Sequence, residues 1–233
     1  MTSKVKRLSI RLTDKEQVWA LVYLLFSYLL LPTLLYGLVD LLPVKLGKHW
    51  INFLYFTVNF CMVLWIFGGF FRRSLAFAGQ NVLDFLIAVT LGFGFYWVCS
   101  WGISLAYGSF FPEFLNLNDG SIISMAQGNF PLVFMGTVIL VPVAEEALHR
   151  GLVFGSLYHK NAAVAYLLST VIFASVHLMG YVGVYSSLHL ALAFLQYVPA
   201  GLALAWAYRR SGSIFAPMVM HAVINALGMF AQA

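Results

Sequence analysis

LVPVAEEALHRG, residues 140–151, is the stretch of sequence that decides how this chain folds. It places two adjacent carboxylates, Glu145 and Glu146, and the guanidinium of Arg150 within a run that is otherwise apolar enough to cross a bilayer. Each such charge costs about 3 kcal/mol at the middle of a membrane-spanning helix. Charges held at that cost indicate a functional site inside a membrane, with partners elsewhere in the chain.

The composition of the chain is that of a membrane protein. Of its 233 residues, 62% are hydrophobic and only 9% are charged, whereas soluble domains have about 25% charged residues. The net charge of +5 does not indicate a nucleic-acid partner, because Lys and Arg cluster at the ends of apolar runs, as the positive-inside rule predicts. We therefore expect an all-α fold, a polytopic bundle of about seven transmembrane helices, with a range of about six to eight.

The apolar runs define the expected spans and their orientation. Thr13 and Glu16 have the spacing of a capping box, so the first helix should begin there. Residues 109–130 form an acidic connection without Lys or Arg, which belongs outside and could hold an interfacial or re-entrant helix. The basic ends at Arg72–Arg73, Lys160 and Arg209–Arg210 belong inside. The expected spans are residues 18–39, 51–71, 82–107, 131–157, 161–179, 188–208 and 214–230.

Three parts of the chain differ in the residues they carry. Residues 1–17 form a basic cytoplasmic tail, residues 18–130 hold the N-terminal transmembrane helices and the outer loop, and residues 131–233 hold the buried polar residues. Short loops and basic ends are typical of a multi-pass protein of a cell membrane, such as the bacterial inner membrane. Membrane lipids are then the surrounding partners, and the N-terminus is cytoplasmic.

Four polar side chains on three different spans fall at a similar depth. At a rise of about 1.5 Å per residue, Glu145 lies ~18 Å from the inner end of its span and His177 lies ~24 Å from the start of its own. His221 and Asn225 lie ~12 and ~18 Å into the last span. All four belong to the middle band of a hydrocarbon core about 30 Å thick, so we expect them to face one another around one site.

Spacing along each helix suggests what these side chains do. Glu146 and Arg150 are an i,i+4 pair with the acid first, the favourable order for a helical ion pair. Glu145 points about 100° away from Glu146 and has no arginine of its own, which suits a general base. His221 and Asn225 are also i,i+4 and present two N–H donors on one face, as a developing oxyanion requires.

The same residues resemble the motifs of a known family. Glu145-Glu146-Ala-Leu-His-Arg150, Phe173-Ala-Ser-Val-His177 and His221-Ala-Val-Ile-Asn225 are similar to its EExxxR, FxxxH and HxxxN motifs. This is the CAAX protease and bacteriocin-processing family, also called the Abi family of intramembrane proteases, which includes the type II CAAX prenyl endopeptidases. The motifs occur in order and at family-like separations, and the resemblance covers residues 131–230.

The resemblance implies an intramembrane, glutamate-dependent endopeptidase. Glu145 and His177 would position and deprotonate the attacking water, His221 and Asn225 would form the oxyanion hole, and the ion pair of the first motif would support the site. The implied partner is a peptide or a C-terminal protein tail, with or without a lipid modification. The family is linked to CAAX processing, maturation of peptide precursors and bacteriocin self-immunity, and no cofactor is implied.

Other interpretations stay open on the sequence alone. His149, expected at the inner membrane boundary, is i,i+4 from Glu145 and could offer a metal ligand, which keeps zinc open although no HExxH motif is present. Buried Glu, His and Arg side chains could instead form the relay of an ion-coupled transporter. A non-catalytic membrane protein, such as an immunity factor or a scaffold, is a third alternative. Pro142, one turn before the carboxylates, could open its helix to water.

Overall fold

This computed structural model describes residues 8–231. Within them the chain forms nine helices joined by loops and no strand. Lys4, Lys6 and Arg7 of the expected basic tail lie outside the described residues. The helices are α1 (Asp14–Leu29), α2 (Leu31–Asp40), α3 (Lys48–Gln80), α4 (Val82–Phe110), α5 (Leu117–Gly128), α6 (Phe130–Tyr158), α7 (Ala162–Val176), α8 (Ser187–Ser211) and α9 (Phe215–Phe230).

Length and composition identify the helices that can cross a membrane. Of the helices in the described part of the chain, four qualify, namely α3, α4, α6 and α8, and α1 with α2 qualifies as a fifth if the bent pair is one span. Helices α7 and α9, with 15 and 16 residues, are apolar but shorter. Each expected apolar run thus corresponds to one helix or to the bent pair. The expected fold class, an all-α multi-pass membrane bundle, is confirmed.

The first expected span is not one continuous helix. Helices α1 and α2 meet at Leu30 with a bend of 50° between them, and Pro32 lies in the first turn of α2. Proline has no N–H, and its ring clashes with the carbonyl four residues earlier, which here belongs to Tyr28. The bend therefore has a local cause in the sequence, and it turns α2 toward the N-terminal part of α3.

The start of α1 follows the expected capping box. The Thr13 backbone N–H donates to the Glu16 carboxylate at 2.7 Å, and the Glu16 N–H donates to the Thr13 hydroxyl at 3.3 Å. Ahead of this cap, Leu8 and Leu12 are buried against the helical core. The described part of the N-terminal segment is therefore docked on the bundle, while its charges stay at the surface.

The basic ends of the helices lie together at one end of the bundle. Three contacts join the start of α1 to α3, the end of α6 to α8, and the end of α8 to the start of α4. They are Arg73–Glu16 at 2.6 Å, Arg209 Nε to the Tyr158 hydroxyl at 2.6 Å, and Arg210–Asp84 at 2.8 Å. This clustering fits a cytoplasmic face, and the orientation itself stays a prediction.

Helix α6 is the central element of the bundle. Of the most apolar stretch of α6, 61% is buried inside the protein, compared with 11% for α4, which therefore exposes most of its surface outward. Aromatic side chains of the neighbouring helices, including Phe67, Phe70 and Tyr208, pack around Phe154 near its end. The two carboxylates of α6 are thereby held within the interior of the bundle rather than at the lipid surface.

Candidate active site

Helix α6 is wound irregularly on both sides of its carboxylates. It widens into π-helix over Met135–Leu140 and again over Ala147–Phe154, with a short α-helical stretch, Val141–Glu146, between them. Insertions of this kind change the direction of the side chains that follow and often occur at functional sites. Here they leave Glu145 on the wall of a cavity, while Glu146 is fully buried between helices.

The cavity beside Glu145 has a volume of about 820 Å³. His177 from the end of α7 and His221 and Asn225 from α9 line it as well. It lies on the side of the bundle away from the basic ends, where α5 contributes part of its wall. The four side chains singled out in the sequence therefore meet at one cavity, although they come from three helices.

Glu145 and His177 face each other without a direct hydrogen bond. Glu145 Oε2 lies 3.8 Å from His177 Nε2, and this oxygen has no hydrogen-bond partner among the described residues. His177 Nδ1 lies 2.7 Å from the Phe173 carbonyl oxygen, which can only accept, so Nδ1 carries the hydrogen and donates it. A neutral His177 then presents the lone pair of Nε2 to the carboxylate. The pair forms a site with two acceptors, which one water molecule could bridge.

One oxygen of Glu146 accepts two hydrogen bonds and joins α6 to α9. Its Oε1 accepts from Arg150 Nη1 at 2.8 Å and from His221 Nδ1 at 2.8 Å, so the expected ion pair with Arg150 is present. Arg150 also donates to the Gly201 carbonyl at 3.2 Å and lies over the Phe173 ring, 4.3 Å from its centre. The contact with His221 was not expected from the sequence. It fixes the imidazole by one nitrogen and leaves Nε2 as its second polar atom.

Asn225 is held by a backbone carbonyl that α6 does not use. Its Nδ2 donates to the Thr137 carbonyl oxygen at 2.8 Å. Within α6 the Val141 N–H donates to the Gly136 carbonyl, five residues back, and the next residue, Pro142, has no N–H to give to Thr137. The carbonyl is therefore free to accept from α9. Pro142 thus acts on the backbone pairing of α6, a more specific effect than opening the helix to water.

Comparison with known proteins finds a family that is similar to the part of the chain holding these residues. Residues 127–227 match the family model described as Type II CAAX prenyl endopeptidase Rce1-like. This segment of the chain is similar to that family. The resemblance drawn from the three motifs is confirmed.

Two curated proteins are related to the chain over part of their length. "Putative membrane peptidase YdiL" of Bacillus subtilis (strain 168) is 32% identical over 116 residues, which are 49% of this chain and 43% of that protein. "UPF0177 protein YxdF" of Lactococcus lactis subsp. lactis (strain IL1403) is 33% identical over 90 residues, 39% of this chain and 44% of that protein. The chain therefore matches less than half the length of these relatives. No solved structure matches it significantly.

His149 lies in the interior of the helical bundle. Its side chain is fully buried, with Nε2 3.3 Å from the Tyr28 hydroxyl and the ring edge-on to Phe173. Neighbouring helices therefore cover the side chain, which is not exposed as an interfacial residue would be, and its depth relative to the membrane boundary stays a prediction. Within residues 8–231, no group of three or more His, Cys, Asp or Glu side chains is arranged to hold a metal ion.

Helix α5, which mostly precedes the segment that matches the family model, begins with polar residues that could not be placed from the sequence. The Asn116 side chain accepts from the N–H of Asp119 at 3.1 Å and from the Tyr197 hydroxyl at 3.2 Å, and it donates to Gln196 at 2.6 Å. The start of α5 is thereby tied to α8 beside the cavity. The N-cap spacing of Asn116 could have predicted this helix, but its contact with α8 depends on the tertiary fold.

Proposed function

We propose that the protein is a membrane endopeptidase that hydrolyses a peptide bond with a water molecule activated by Glu145 and His177. One observation carries the proposal: a carboxylate and an imidazole nitrogen 3.8 Å apart line the same cavity as two potential donors, His221 and Asn225. The similarity to the Rce1-like family and the related Bacillus protein, named as a membrane peptidase, support the same class of enzyme.

In the first step the water donates one hydrogen bond to Glu145 Oε2 and one to His177 Nε2. Glu145 accepts a proton as the water oxygen bonds to the carbonyl carbon of the peptide, and His177 holds the water in position. General base catalysis of this kind contributes about 10²- to 10⁴-fold to the rate. His177 is suited to this role because Phe173 and the ring of Tyr197, 4.4 Å away, fix its orientation.

The tetrahedral intermediate carries a negative charge on the former carbonyl oxygen. His221, protonated on both nitrogens, donates from Nδ1 to Glu146 and from Nε2 to this oxygen, and Asn225 donates its second Nδ2 hydrogen. Preorganised donors in a dry site stabilise such charge strongly. In this intermediate Glu145 is a neutral acid, and the charges of the oxyanion, Glu146, Arg150 and a protonated His221 sum to zero, which lowers the cost of burying them.

The second step returns the proton that Glu145 took from the water. The carboxylic acid of Glu145 protonates the nitrogen of the leaving amine as the C–N bond breaks, and the products are a carboxyl group and an amine. Glu146 and Arg150 take no part in the proton transfers. Glu146 positions His221 through the hydrogen bond at 2.8 Å, and Arg150 holds Glu146 through a second one at 2.8 Å.

The substrate would be a peptide or a C-terminal protein tail that reaches the cavity from the membrane or its surface. CAAX-type cleavage with or without a prenyl group, maturation of a peptide precursor and bacteriocin self-immunity are the biological settings consistent with the family. The basic ends of the helices support a cell-membrane protein with a cytoplasmic N-terminus. The proposed chemistry needs no metal ion.

The proposal is tested with the purified protein in detergent and a panel of peptides, with cleavage followed by mass spectrometry. We expect the parent to cut at a defined bond and Glu145→Gln to abolish cutting while eluting from gel filtration as the parent does. Glu16→Gln, which changes a carboxylate near the basic end, serves as the matched control and should retain activity. Cleavage by Glu145→Gln at the parent rate would overturn the proposal.

A further inference from the structure

Helix α5 forms part of the cavity wall without burying any of its own residues. Such an element gains little stability from packing, so its polar contacts matter more for its position. The Tyr181 hydroxyl donates to the Leu117 carbonyl at 3.2 Å, and His189 Nε2 donates to the Leu115 carbonyl at 3.0 Å. The backbone at the start of α5 is therefore held by the loop that follows α7 and by the first turn of α8.

Between these two backbone contacts, the side chain of Asn116 binds α5 and α8 at the same time. Its Nδ2 donates to Gln196 Oε1 at 2.6 Å, and its Oδ1 accepts from the Tyr197 hydroxyl at 3.2 Å. The same oxygen caps α5, because it accepts from the backbone N–H groups of Asn118 at 3.0 Å and Asp119 at 3.1 Å. One amide thus connects the start of α5 with two consecutive residues of α8.

Tyr197 extends this connection to His177. The two rings are stacked, with their centroids 4.4 Å apart and an angle of 28° between their planes. The hydrogen bond from His177 Nδ1 to the Phe173 carbonyl fixes one atom of the imidazole but lets the ring turn about that bond. The stacked tyrosine fixes the plane of the imidazole, and with it the direction of Nε2 toward Glu145. The tyrosine ring is itself held at its far end, where Asn116 binds the hydroxyl.

We propose that Asn116 is a positioning residue of the peptidase, which sets the plane of the His177 ring through the hydroxyl and ring of Tyr197. The inference rests on the proposed peptidase function and adds a residue that precedes the segment matching the family model. Asn116 takes no part in the proton transfers. Its effect belongs in kcat, because a displacement of about 1 Å at a catalytic group can lower the rate by about 10²-fold.

Asn116→Ser separates the positioning of His177 from the capping of α5. Serine is as good an N-cap as asparagine, but its shorter side chain does not reach Tyr197. We expect kcat on one cleaved peptide to fall about tenfold. KM should change little, because Tyr181 and His189 still hold the backbone of α5. Tyr197→Phe keeps the stacked ring and removes the hydroxyl, so it should give the same loss, and the double variant should lose little more.

Two further variants serve as controls. Tyr107→Phe removes a hydroxyl that donates to the Leu192 carbonyl at 2.8 Å and joins α4 to α8, and it should leave kcat unchanged. Asn116→Asp keeps the oxygen that caps α5 and accepts from Tyr197, so it should retain most of the parent kcat. A raised KM with the parent kcat in Asn116→Ser would show that Asn116 only shapes the cavity wall and would overturn the inference. Fully additive losses in kcat for Asn116→Ser and Tyr197→Phe would overturn it as well.

A measurement that needs no cleavage separates this inference from the peptidase proposal. Diethyl pyrocarbonate modifies imidazole rings, and its rate of reaction with His177 is followed by mass spectrometry of the digested protein. We expect this rate to rise several-fold in Asn116→Ser and in Tyr197→Phe but not in Tyr107→Phe, because a ring released from its stack is more accessible.

The outcomes distinguish the two proposals. Cleavage that depends on Glu145 but keeps the parent kcat in Asn116→Ser contradicts the positioning role alone. If the parent cuts no peptide, the peptidase proposal fails, and the modification rate then decides whether Asn116 controls the His177 ring. A rate raised in both Asn116→Ser and Tyr197→Phe supports that control, and an unchanged rate contradicts it.

Discussion

Asn225 donates a hydrogen bond to the carbonyl oxygen of Thr137 at 2.8 Å, and this bond joins α9 to α6 where α6 leaves its own backbone unpaired. The free carbonyl results from two features of α6, the π-helical pairing of Val141 with Gly136 and the missing N–H of Pro142. One amide hydrogen of Asn225 is thus used for positioning, and the other is available for a ligand.

Pro142→Ala is expected to impair catalysis without touching a reacting group. The introduced alanine would have an N–H able to donate to the Thr137 carbonyl, in competition with Asn225, and the amide would lose its orientation. We expect kcat to fall about tenfold with KM nearly unchanged, a smaller loss than the roughly 10²-fold or greater decrease expected for Asn225→Ala.

A double-mutant cycle separates this effect from general damage to the helix. If Pro142 acts by positioning Asn225, adding Pro142→Ala to Asn225→Ala should lower kcat little further. Fully additive losses would show that Pro142 supports activity in some other way, and an unchanged kcat in the single variant would contradict the positioning role.

The catalytic rate should be far more sensitive to substitution of the residues that contact the water or the oxyanion than to substitution of the residues around them. Glu145→Gln, His177→Ala and His221→Ala are each expected to lower kcat by roughly 10²- to 10⁴-fold, since each removes a proton acceptor, a water ligand or an oxyanion donor. Steady-state rates on one cleaved peptide, with gel filtration to verify folding, provide the measurement. Activity near the parent level in all three variants would rule out the proposed site.

The buried ion pair should matter for stability as well as activity. Glu146 is fully buried between Arg150 and His221, so Glu146→Ala would leave the Arg150 charge buried without its partner and is expected to cost about 3–5 kcal/mol. Thermal unfolding in detergent should show a marked decrease in Tm. The control pair is Glu16 with the partly exposed Arg73, where Glu16→Gln is expected to cost at most about 1 kcal/mol. Equal Tm decreases in the two variants would contradict this account.

Local features of the structure could be predicted from the sequence because they depend on neighbours in the chain. The capping box at Thr13 and Glu16 and the pairing of Glu146 with Arg150 follow from spacings of three and four residues. The bend before Pro32 also has a local cause, although the apolar run around it predicted a continuous span.

From the sequence, contacts between distant helices could be anticipated only because the residues concerned lie at a similar depth along their helices. The sequence placed Glu145, His177, His221 and Asn225 at a similar level, and the structure brings them to one cavity. The sequence did not predict that Glu146 binds His221, because that contact depends on how α9 packs against α6. The π-helical segments change side-chain directions in a way that a regular 3.6-residue period does not anticipate.

His149→Phe is expected to preserve both folding and activity. The His149 ring is buried against Tyr28 and Phe173, so an aromatic ring of similar shape can replace it, with a loss of about 1 kcal/mol for the hydrogen bond to Tyr28. Tm and kcat report the two effects. A variant that folds but loses activity together with bound zinc would assign His149 to a metal site.

Chelation tests whether the reaction itself needs a metal ion. In the proposed chemistry Glu145 accepts and returns the proton, and one ring nitrogen of each histidine is already engaged, His177 Nδ1 with Phe173 and His221 Nδ1 with Glu146. The remaining nitrogens are assigned to the water and to the oxyanion. We therefore expect kcat to persist after prolonged dialysis against a strong zinc chelator, with a known zinc peptidase inactivated in parallel. Loss of activity that added zinc restores would instead require a metal ion to activate the water, and Glu145 and His177 would become its ligands.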